Sequence, residues 1–346
     1  MPSFLEAASA ALVLLLLLAA LLWAATRPSR LRREQHREAR ALFCVQEDAE
    51  IVVLVPHRHR EVFARYLLQE LSRYFAISHP QTRFHVVAAQ DTSDLPFSRG
   101  VSLNVALAYV ASSSSPDQAV VVQDVDIVPR RNVSYECPPR GTVHIWWLNA
   151  GGMKGRLGDF AQAGGFSNLF RGWGGEETSF WHRLATHGIE HRIWYELDRP
   201  RGAVVLDLQG HDQAYWHSGE NKSSDAEVLF VHQTHPEHGV AGGALLRNAP
   251  SPNWYDPEIF SRNEALKEYL DGLPPHELVA LSRVDGLAAV DLSRVRSDDF
   301  FSGVMLQPNL RATNLVFDQA EVLGRRTPSA FQSHAPIRDF LTQSQM

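Results

Sequence analysis

Cysteine is scarce in this chain: Cys44 and Cys137 are the only two among 346 residues. They could form at most one intrachain bridge, so the fold cannot depend on a framework of disulfides. Basic residues are also in deficit, because 33 lysines and arginines stand against 39 aspartates and glutamates, which gives a formal net charge of −6. Nucleic-acid binding usually needs a basic patch or stripe, so this composition argues against nucleic acid as the overall partner.

Apolar residues, in contrast, make up 45% of the chain, enough to bury a full core in one large or two modest domains. Beyond the amino-terminal region, apolar runs alternate with segments of helical periodicity. Strands are predicted at 51–55, 84–89 and around 120–122, and helices at 62–75 and 99–111. This alternation is typical of an α/β sheet with crossover helices, in which ligands bind outside the carboxyl ends of the strands.

The amino-terminal region contains an apolar segment, residues 7–25, that carries no charge. About 20 apolar residues span a bilayer as a helix, whereas a cleaved signal peptide usually has a basic leader and a shorter core of about 7–15 residues. We therefore predict a short tail at 1–6, a transmembrane signal anchor in the lipid bilayer at 7–25, and an Arg- and Glu-rich stem or linker at 26–48.

Two signals disagree about the side of the membrane that holds the rest of the chain. Six arginines follow the apolar segment between positions 27 and 40, and the positive-inside rule would keep them in the cytosol. N-glycosylation sequons at Asn132 and Asn221 favour the lumen instead. Both topologies stay open on these signals.

Paired carboxylates follow the third predicted strand. Asp124 and Asp126 come directly after an apolar run, and strand alternation would direct both to the same side. Hard oxygen ligands at an open sheet edge suit Mg²⁺ or Mn²⁺, which commonly hold a diphosphate. The first hypothesis is a divalent-cation site for a sugar nucleotide; the alternative, commoner for such a pattern taken alone, is an ordinary solvated strand end.

A glycine-rich run at 164–177 surrounds Trp173 and ends in Glu176 and Glu177. Glycines let backbone approach a ligand closely, and an indole offers a flat face for stacking on a sugar ring. In the alternative interpretation, Trp173 belongs to the core and the two acids merely favour the amino-terminal dipole of a helix at 176–187.

A further apolar strand, around 228–231, leads into His232 and His235, and Mn²⁺ accepts imidazole beside carboxylate oxygen. A His-x-x-His pair is most often incidental in a chain with 16 histidines, but its place after an apolar strand, like that of Asp126, favours a metal role. A metal-dependent hydrolase with both histidines as primary ligands is another alternative, and it would need a third protein ligand.

Ordered blocks of this chain resemble the β-1,4-galactosyltransferase family, glycosyltransferase family 7. The resemblance covers about residues 50–293, and the near-constant spacing makes the set far more specific than any one block. The blocks, with the family pattern, lie at 56–60 (Pro-Phe-Arg-x-Arg), 97–99 and 104–105 (Phe-Asn-Arg, then Asn-Val-Gly), 124–126 (Asp-Val-Asp), 151–152 (Tyr-x-Gly-Gly), 165–168 (Gly-Phe-x-Asn), 172–176 (Gly-Trp-Gly-Gly-Glu), 271–273 (Asp-Gly-Leu-Asn) and 290–292 (a Val-Asp-Ile strand).

The resemblance implies an α/β fold of the GT-A type, a Rossmann-like mixed sheet with flanking helices, over residues 49–294 and preceded by one transmembrane helix. It also implies an inverting, Mn²⁺-dependent transfer of galactose from UDP-galactose to a glycan or glycoconjugate acceptor in β-1,4 linkage. The implied location is the Golgi membrane, as a single-pass type II protein with a luminal catalytic domain. This topology conflicts with the arginine-rich segment that follows the anchor. Residues 295–346 match nothing in the family and are predicted to be a C-terminal extension of unknown role.

The resemblance further implies roles for individual residues. Glu177 takes the position of the catalytic base, and Asp126, His235 and His232 take those of the metal ligands. The residues expected to bind the donor are Pro56, Arg58, Arg60, Phe97, Arg99, Asp124, Val125 and Gly152. Acceptor binding falls to Trp173, Glu176 and Thr178, and donor specificity to Asn149.

Three positions depart from the family pattern. Glu177 adds one methylene to the usual Asp, and Thr178 replaces a second Asp that contacts the acceptor, which leaves xylose, glucose or another glycan open beside N-acetylglucosamine. Asn149 replaces a Tyr that restricts the donor to galactose, so UDP-N-acetylgalactosamine is an alternative donor. The altered Glu177-Thr178 pair also motivates a second hypothesis, a degenerate relative that binds glycan or a partner without turnover.

Overall fold

The computed structural model describes residues 50–129, 133–145, 152–172, 174–193, 204–207, 228–232 and 257–324, with the backbone alone for 204–207 and 228–232. Among these residues, no helix is long and apolar enough to cross a membrane. The predicted anchor at 7–25 and linker at 26–48 lie outside the described residues, as do Asn132 and Asn221, so these features remain predictions.

Strands and helices alternate along most of the described chain. The strands are β1 Ile51–His57, β2 Phe84–Asp91, β3 Ala119–Val122, β4 Ile127–Pro129, β5 Thr142–Ile145, β6 Met153–Arg156, β7 Glu190–Ile193, β8 Val204–Asp207, β9 Val228–His232, β10 Arg296–Asp298 and β11 Leu310–Phe317. The helices are α1 Glu61–Ser78, α2 Arg99–Ala111, α3 Leu157–Gln162, α4 Glu176–Thr186, α5 Pro257–Asp271, α6 Pro275–Ser282 and α7 Gln319–Val322.

A mixed sheet, eight-stranded within the described ranges, forms the centre of the fold in the order β10-β11-β2-β1-β3-β6-β5-β7. Strands β11, β2, β1 and β3 run parallel, whereas β6 is antiparallel to both β3 and β5. A second sheet of three described strands has the order β4-β9-β8. The predicted mixed α/β sheet with flanking helices is confirmed.

The sequence of β1 explains its central position, because all seven of its residues are buried. Side chains alternate across a strand. Val53 and Val55 therefore join one core cluster with the buried face of α1, while Val52 and Leu54 join another with α2, α3 and α4. A strand covered on both faces is apolar throughout. The carboxyl ends of β1, β2 and β3 meet at one edge of this double-sided core.

The main sheet extends past the predicted domain boundary at residue 294. β11 pairs with β2 in parallel along its whole length, and β10 pairs with β11, so residues 296–298 and 310–317 are strands of the sheet and not an appended extension. At 290–292, where the resemblance predicted a strand, Asp291 instead accepts the Ser293 N–H at 3.0 Å and caps a 3₁₀ turn. An Asp side chain that bonds its neighbouring backbone in this way competes with strand pairing.

Candidate active site

An acidic turn follows β3. The strand ends two residues before Asp124, and the Ile127 N–H donates to Asp124 O at 3.2 Å, which closes a turn before β4. Gln123 still reaches β1, through its N–H to Leu54 O at 3.0 Å. Asp124 and Asp126 therefore lie in a turn, and not along a strand as alternation predicted, because the chain leaves the sheet after Gln123.

Two arginines bind the carboxylates of this turn. Arg60, just before α1, places Nη1 2.6 Å from Asp126 Oδ2. Arg99, the first residue of α2, places Nε 2.9 Å from Asp124 Oδ1 and Nη1 3.1 Å from Oε1 of Glu177, which lies in the first turn of α4. The structure therefore brings the predicted base, a predicted metal ligand and three predicted donor residues to one place.

Negative charge is concentrated around Arg99. Burial raises the pKa of Asp124 above its ordinary value; the Arg99 guanidinium opposes that shift, and the carboxylates of Asp126 and Glu177 add to it. Burial alone would lower the pKa of Arg99, but Asp124, Glu177 and Glu176 raise it instead. A bound divalent cation would relieve repulsion among these carboxylates, so the oxygen donors at the turn fit Mn²⁺ or Mg²⁺.

The histidine side of the predicted metal site is described only in part. β9 runs antiparallel to β4 with His232 opposite Ile127, so the His232 backbone lies beside the residue that follows Asp126. His235 lies outside the described residues. Among the side chains that the structure describes, no three His, Cys, Asp or Glu form a group that could hold a metal. The roles of His232 and His235 remain predictions.

The other predicted donor residues lie along the same sheet edge. Pro56 is buried near the end of β1, and Arg58 donates to Leu95 O in the loop after β2, the loop that ends at Phe97. Val125 lies between the two aspartates and is buried. Gly152 immediately precedes β6, which pairs antiparallel with β3. The fold thus gathers these positions around the carboxyl ends of β1, β2 and β3.

Two glycines with left-handed backbone shape the approach to α4. At Gly174 (φ +108°) a Cβ would lie 2.9 Å from Phe260 Cδ2, and at Gly175 (φ +85°) it would lie 2.8 Å from Phe170 Cε1. A side chain at either position would be both strained and in collision. Gly175 directly precedes α4, so the turn fixes where the helix begins and thereby places Glu177 in its first turn.

The structure describes two of the three predicted acceptor residues, and both lie in the first turn of α4. The Thr178 hydroxyl donates to Gly175 O at 3.1 Å, so this side chain is bonded back to the residue that precedes the helix. Glu176 is 5% exposed, and its Oε2 has no hydrogen-bond partner among the described residues. The Glu177 side chain is 20% exposed, so it is the more accessible of the two acids. Trp173 and Asn149 lie outside the described residues.

Glu176 gives a prediction about pH and stability. Burial, and next the charge of Glu177, raise its pKa above the ordinary value. The folded state therefore keeps this proton to higher pH than the unfolded state, whose glutamate pKa is about 4.3, so stability falls as pH rises from there toward the folded pKa. Glu176→Gln, which mimics the neutral acid, is expected to raise the melting temperature relative to the natural chain by at least about 2 °C more at pH 8 than at pH 5.

Thermal unfolding of both proteins at pH 5, 6.5 and 8 checks this expectation. Glu268→Gln, at an exposed position on α5, is the matched control and should leave the difference flat across pH. A melting-temperature difference between Glu176→Gln and the natural chain that does not grow with pH would show that the folded protein holds Glu176 ionised.

A buried network that sequence reasoning missed holds this region together. Asp285, 2% exposed, accepts from Ser167 Oγ at 2.7 Å and from the Asn168 N–H at 2.9 Å, and it pairs with Arg183 of α4. Asn104 of α2 donates to Asn168 Oδ1 at 2.8 Å. The network joins α2, α4 and the glycine-rich run. The sequence signal for this network is a second Asp-Gly-Leu triplet at 285–287. The family resemblance places its Asp-Gly-Leu-Asn block at the first triplet, 271–273.

Two family models match segments of this chain. A model of the N-terminal region of glycosyl transferase group 7 matches residues 34–138, and a model described as the N-terminal domain of galactosyltransferase matches residues 144–202. These matches cover the acidic turn and the glycine-rich run in order. The chain is therefore similar to the β-1,4-galactosyltransferase family, glycosyltransferase group 7.

Curated relatives support the same family. The chain is 27% identical to rat β-1,4-galactosyltransferase 4 over 167 residues, 44% of this chain and 46% of the relative. It is 27% identical to the human β-1,4-galactosyltransferase 4 over 198 residues, 53% and 54% of the two chains. With human β-1,4-galactosyltransferase 3 the identity is 25% over 192 residues, 51% and 45%. The chain spans about half the length of the curated relatives it matches.

Solved structures with similarity to this chain include two of Drosophila β-1,4-galactosyltransferase 7. A mutant in complex with manganese, UDP-Gal and xylobiose has a TM-score of 0.47 and 17% identity, over 78% of this chain and 94% of that one. The catalytic domain in complex with xylobiose has a TM-score of 0.48 and 16% identity, with the same coverage.

Proposed function

We propose that this protein transfers galactose from UDP-galactose, or N-acetylgalactosamine from UDP-N-acetylgalactosamine, to a glycan acceptor in β-1,4 linkage, with Mn²⁺ as cofactor and with inversion at the anomeric carbon. The observation that carries the proposal is the pair of contacts from Arg99 to Asp124 and to Glu177, at 2.9 and 3.1 Å. They join the predicted donor side of the site to the predicted base. The similarity to glycosyl transferase group 7 supports the same chemistry.

Glu177 has the position and accessibility of a general base. In the proposed reaction its carboxylate takes the proton of an acceptor hydroxyl. The acceptor oxygen forms a bond to the anomeric carbon from the face opposite UDP, while the bond from that carbon to the β-phosphate oxygen breaks and its electron pair leaves with UDP. In this reaction Arg99 would keep its Nε contact to Asp124 while Glu177 turns from Nη1 of Arg99 toward the hydroxyl.

Asp126 would hold Mn²⁺ together with His232 and His235. When bound, the cation would supply Lewis-acid stabilisation of the charge that develops on the departing diphosphate. Arg60, 2.6 Å from Asp126, adds a second positive charge beside the same place. Gly174 and Gly175 shape the entry to α4, where the acceptor would meet Glu177.

One observation favours a second function, glycan or partner binding without turnover. Glu177 is already engaged by Arg99, and the Thr178 hydroxyl is engaged by Gly175 O at 3.1 Å. In a degenerate relative these contacts would persist in the complex, so the acceptor hydroxyl would keep its proton.

Donor and acceptor panels separate these functions. With full-length protein, Mn²⁺ and a series of UDP-sugars, we expect UDP release that depends on an added glycan acceptor and is highest with UDP-galactose or UDP-N-acetylgalactosamine. Chelation of the metal is the control and should abolish release. Tight UDP binding with no product across the panel would instead establish the binding function. Glycan cleavage in the absence of any sugar nucleotide would identify a hydrolase and contradict both.

A further inference from the structure

A buried carboxylate stands at the carboxyl end of β2, outside the set of residues assigned above. Asp91 is 1% exposed. Its Oδ1 accepts the Ser93 N–H at 3.0 Å, its Oδ2 accepts from Gln319 Nε2, and Arg58 Nη1 lies 3.8 Å from Oδ2. A buried carboxylate is costly without such partners. The buried Asp91 side chain therefore depends on these hydrogen bonds and on the nearby Arg58 charge.

The Gln319 side chain comes from the far end of the described chain. It is fully buried in the first position of α7, and its Nε2 also donates to Pro96 O at 3.3 Å. Next to it, Phe317 O accepts both the N–H and the hydroxyl of Thr92, at 2.9 and 3.0 Å. The end of β11 and the start of α7 are thereby hydrogen-bonded to both ends of the loop at 92–96.

This loop leads directly into the predicted donor site. Phe97 follows it, and Phe97 O accepts the Gly172 N–H of the glycine-rich run at 2.6 Å. Ser98 then caps α2 through its hydroxyl, which accepts the Val101 N–H at 3.2 Å, and Arg99 comes next. A shift of the loop would therefore move Phe97, and a loss of partners at Asp91 would draw Arg58 toward it.

We propose that Gln319 is a positioning residue for the nucleotide end of the donor. By holding Asp91 and Pro96 it fixes Phe97 and keeps the Arg58 guanidinium available to the uridine, while it leaves the diphosphate end, at Arg60 and the acidic turn, unchanged. This inference rests on the proposed function, since it assumes a uridine-diphosphate donor. Gln319 lies beyond both segments that match the family models, 34–138 and 144–202.

Binding of UDP and of inorganic pyrophosphate distinguishes the two ends of the site. With full-length protein and Mn²⁺, we expect Gln319→Leu to raise the Kd of UDP by about tenfold, the scale set by losing a hydrogen bond to a charged partner, and to change that of pyrophosphate by less than about twofold. The KM for the donor should rise while kcat changes little. Gln307→Leu, at an exposed position with no side-chain role in the site, is the matched control and should change neither constant.

Exchange of the two groups tests whether the hydrogen bond itself is responsible. The double variant Asp91→Asn/Gln319→Glu keeps the net charge and an amide–carboxylate pair, so it should bind UDP more tightly than either single variant. Should Gln319→Leu show no folded melting transition, Gln319→Asn, which keeps the amide but is one methylene shorter, takes its place with the same expectation.

Three results would overturn the inference. The first is a folded Gln319 variant that binds UDP as tightly as the natural chain. The second is an equal loss of affinity for UDP and for pyrophosphate. The third is a double variant that binds UDP no more tightly than the two single variants. Failure of the natural chain itself to bind UDP is a different outcome, because it refutes the proposed function on which the inference rests.

Discussion

Asp126→Asn is expected to lose manganese-dependent UDP binding by at least about 100-fold, because removal of an outer-shell partner alone typically costs 10–100-fold in metal affinity and this residue is the predicted ligand itself. The substitution keeps the shape of the side chain but removes a full charge from the turn. Transfer should fall with binding. Asp126 is 5% exposed and pairs with Arg60 at 2.6 Å, so the variant also frees a cation beside the donor phosphates.

Isothermal titration with Mn²⁺ alone, with UDP alone and with both checks this result. Asp299→Asn, at an exposed position in the chain between β10 and β11, is the matched control and should bind as the natural chain does. Unchanged manganese affinity in folded Asp126→Asn would exclude this residue as a ligand. Retained UDP binding without metal would then point to Arg60 and Arg99 as the phosphate-binding groups.

Glu177→Gln is expected to lower turnover by about 10²–10⁴-fold, the usual contribution of a positioned general base, while UDP and manganese binding stay nearly unchanged. The amide keeps the size of the side chain and can still reach Arg99, but it cannot take the acceptor proton. The loss should appear in kcat at saturating acceptor. Single-turnover product formation with a labelled UDP-sugar measures it.

Two companion variants sharpen the interpretation of this loss. Glu177→Asp restores the residue usual in the family and should retain part of the activity, because the base is preserved and only its reach changes. Glu277→Gln on α6 should have no effect. Product formation by Glu177→Gln within about tenfold of the natural chain, well short of the usual contribution of a general base, would assign the proton transfer to another group.

Several parts of the site follow from local sequence signals. An apolar run that ends in acids predicts a ligand-binding sheet edge, and glycines around an aromatic residue predict a tight loop before a helix. The structure brings Asp124, Glu177 and Arg99 together, but Arg99 was expected there only from the family resemblance and not from a local signal. The strand assignment of Asp124 failed because where a strand leaves its sheet depends on its neighbours, here the pairing of β3 with β1 that ends near Gln123.

Contacts between distant segments could not be predicted in the same way. Asp285 and Ser167 are 118 residues apart, and Gln319 and Asp91 are 228 residues apart. Each of these side chains is ordinary in its local context, and only the folded sheet gives it a partner. The place of β11 in the main sheet could not be predicted for a related reason, because its parallel partner β2 is distant in the sequence.

The parallel pairing of β2 with β11 has a consequence for synthesis in the cell. Gln90 and Asn314 meet across these strands although 224 residues of chain separate them. A ribosome therefore releases β2 long before its neighbour exists, and the nascent protein carries a bare hydrogen-bonding edge for most of translation. Such edges recruit other strands. Shielding of this edge of β2 until β11 emerges would accordingly favour productive folding.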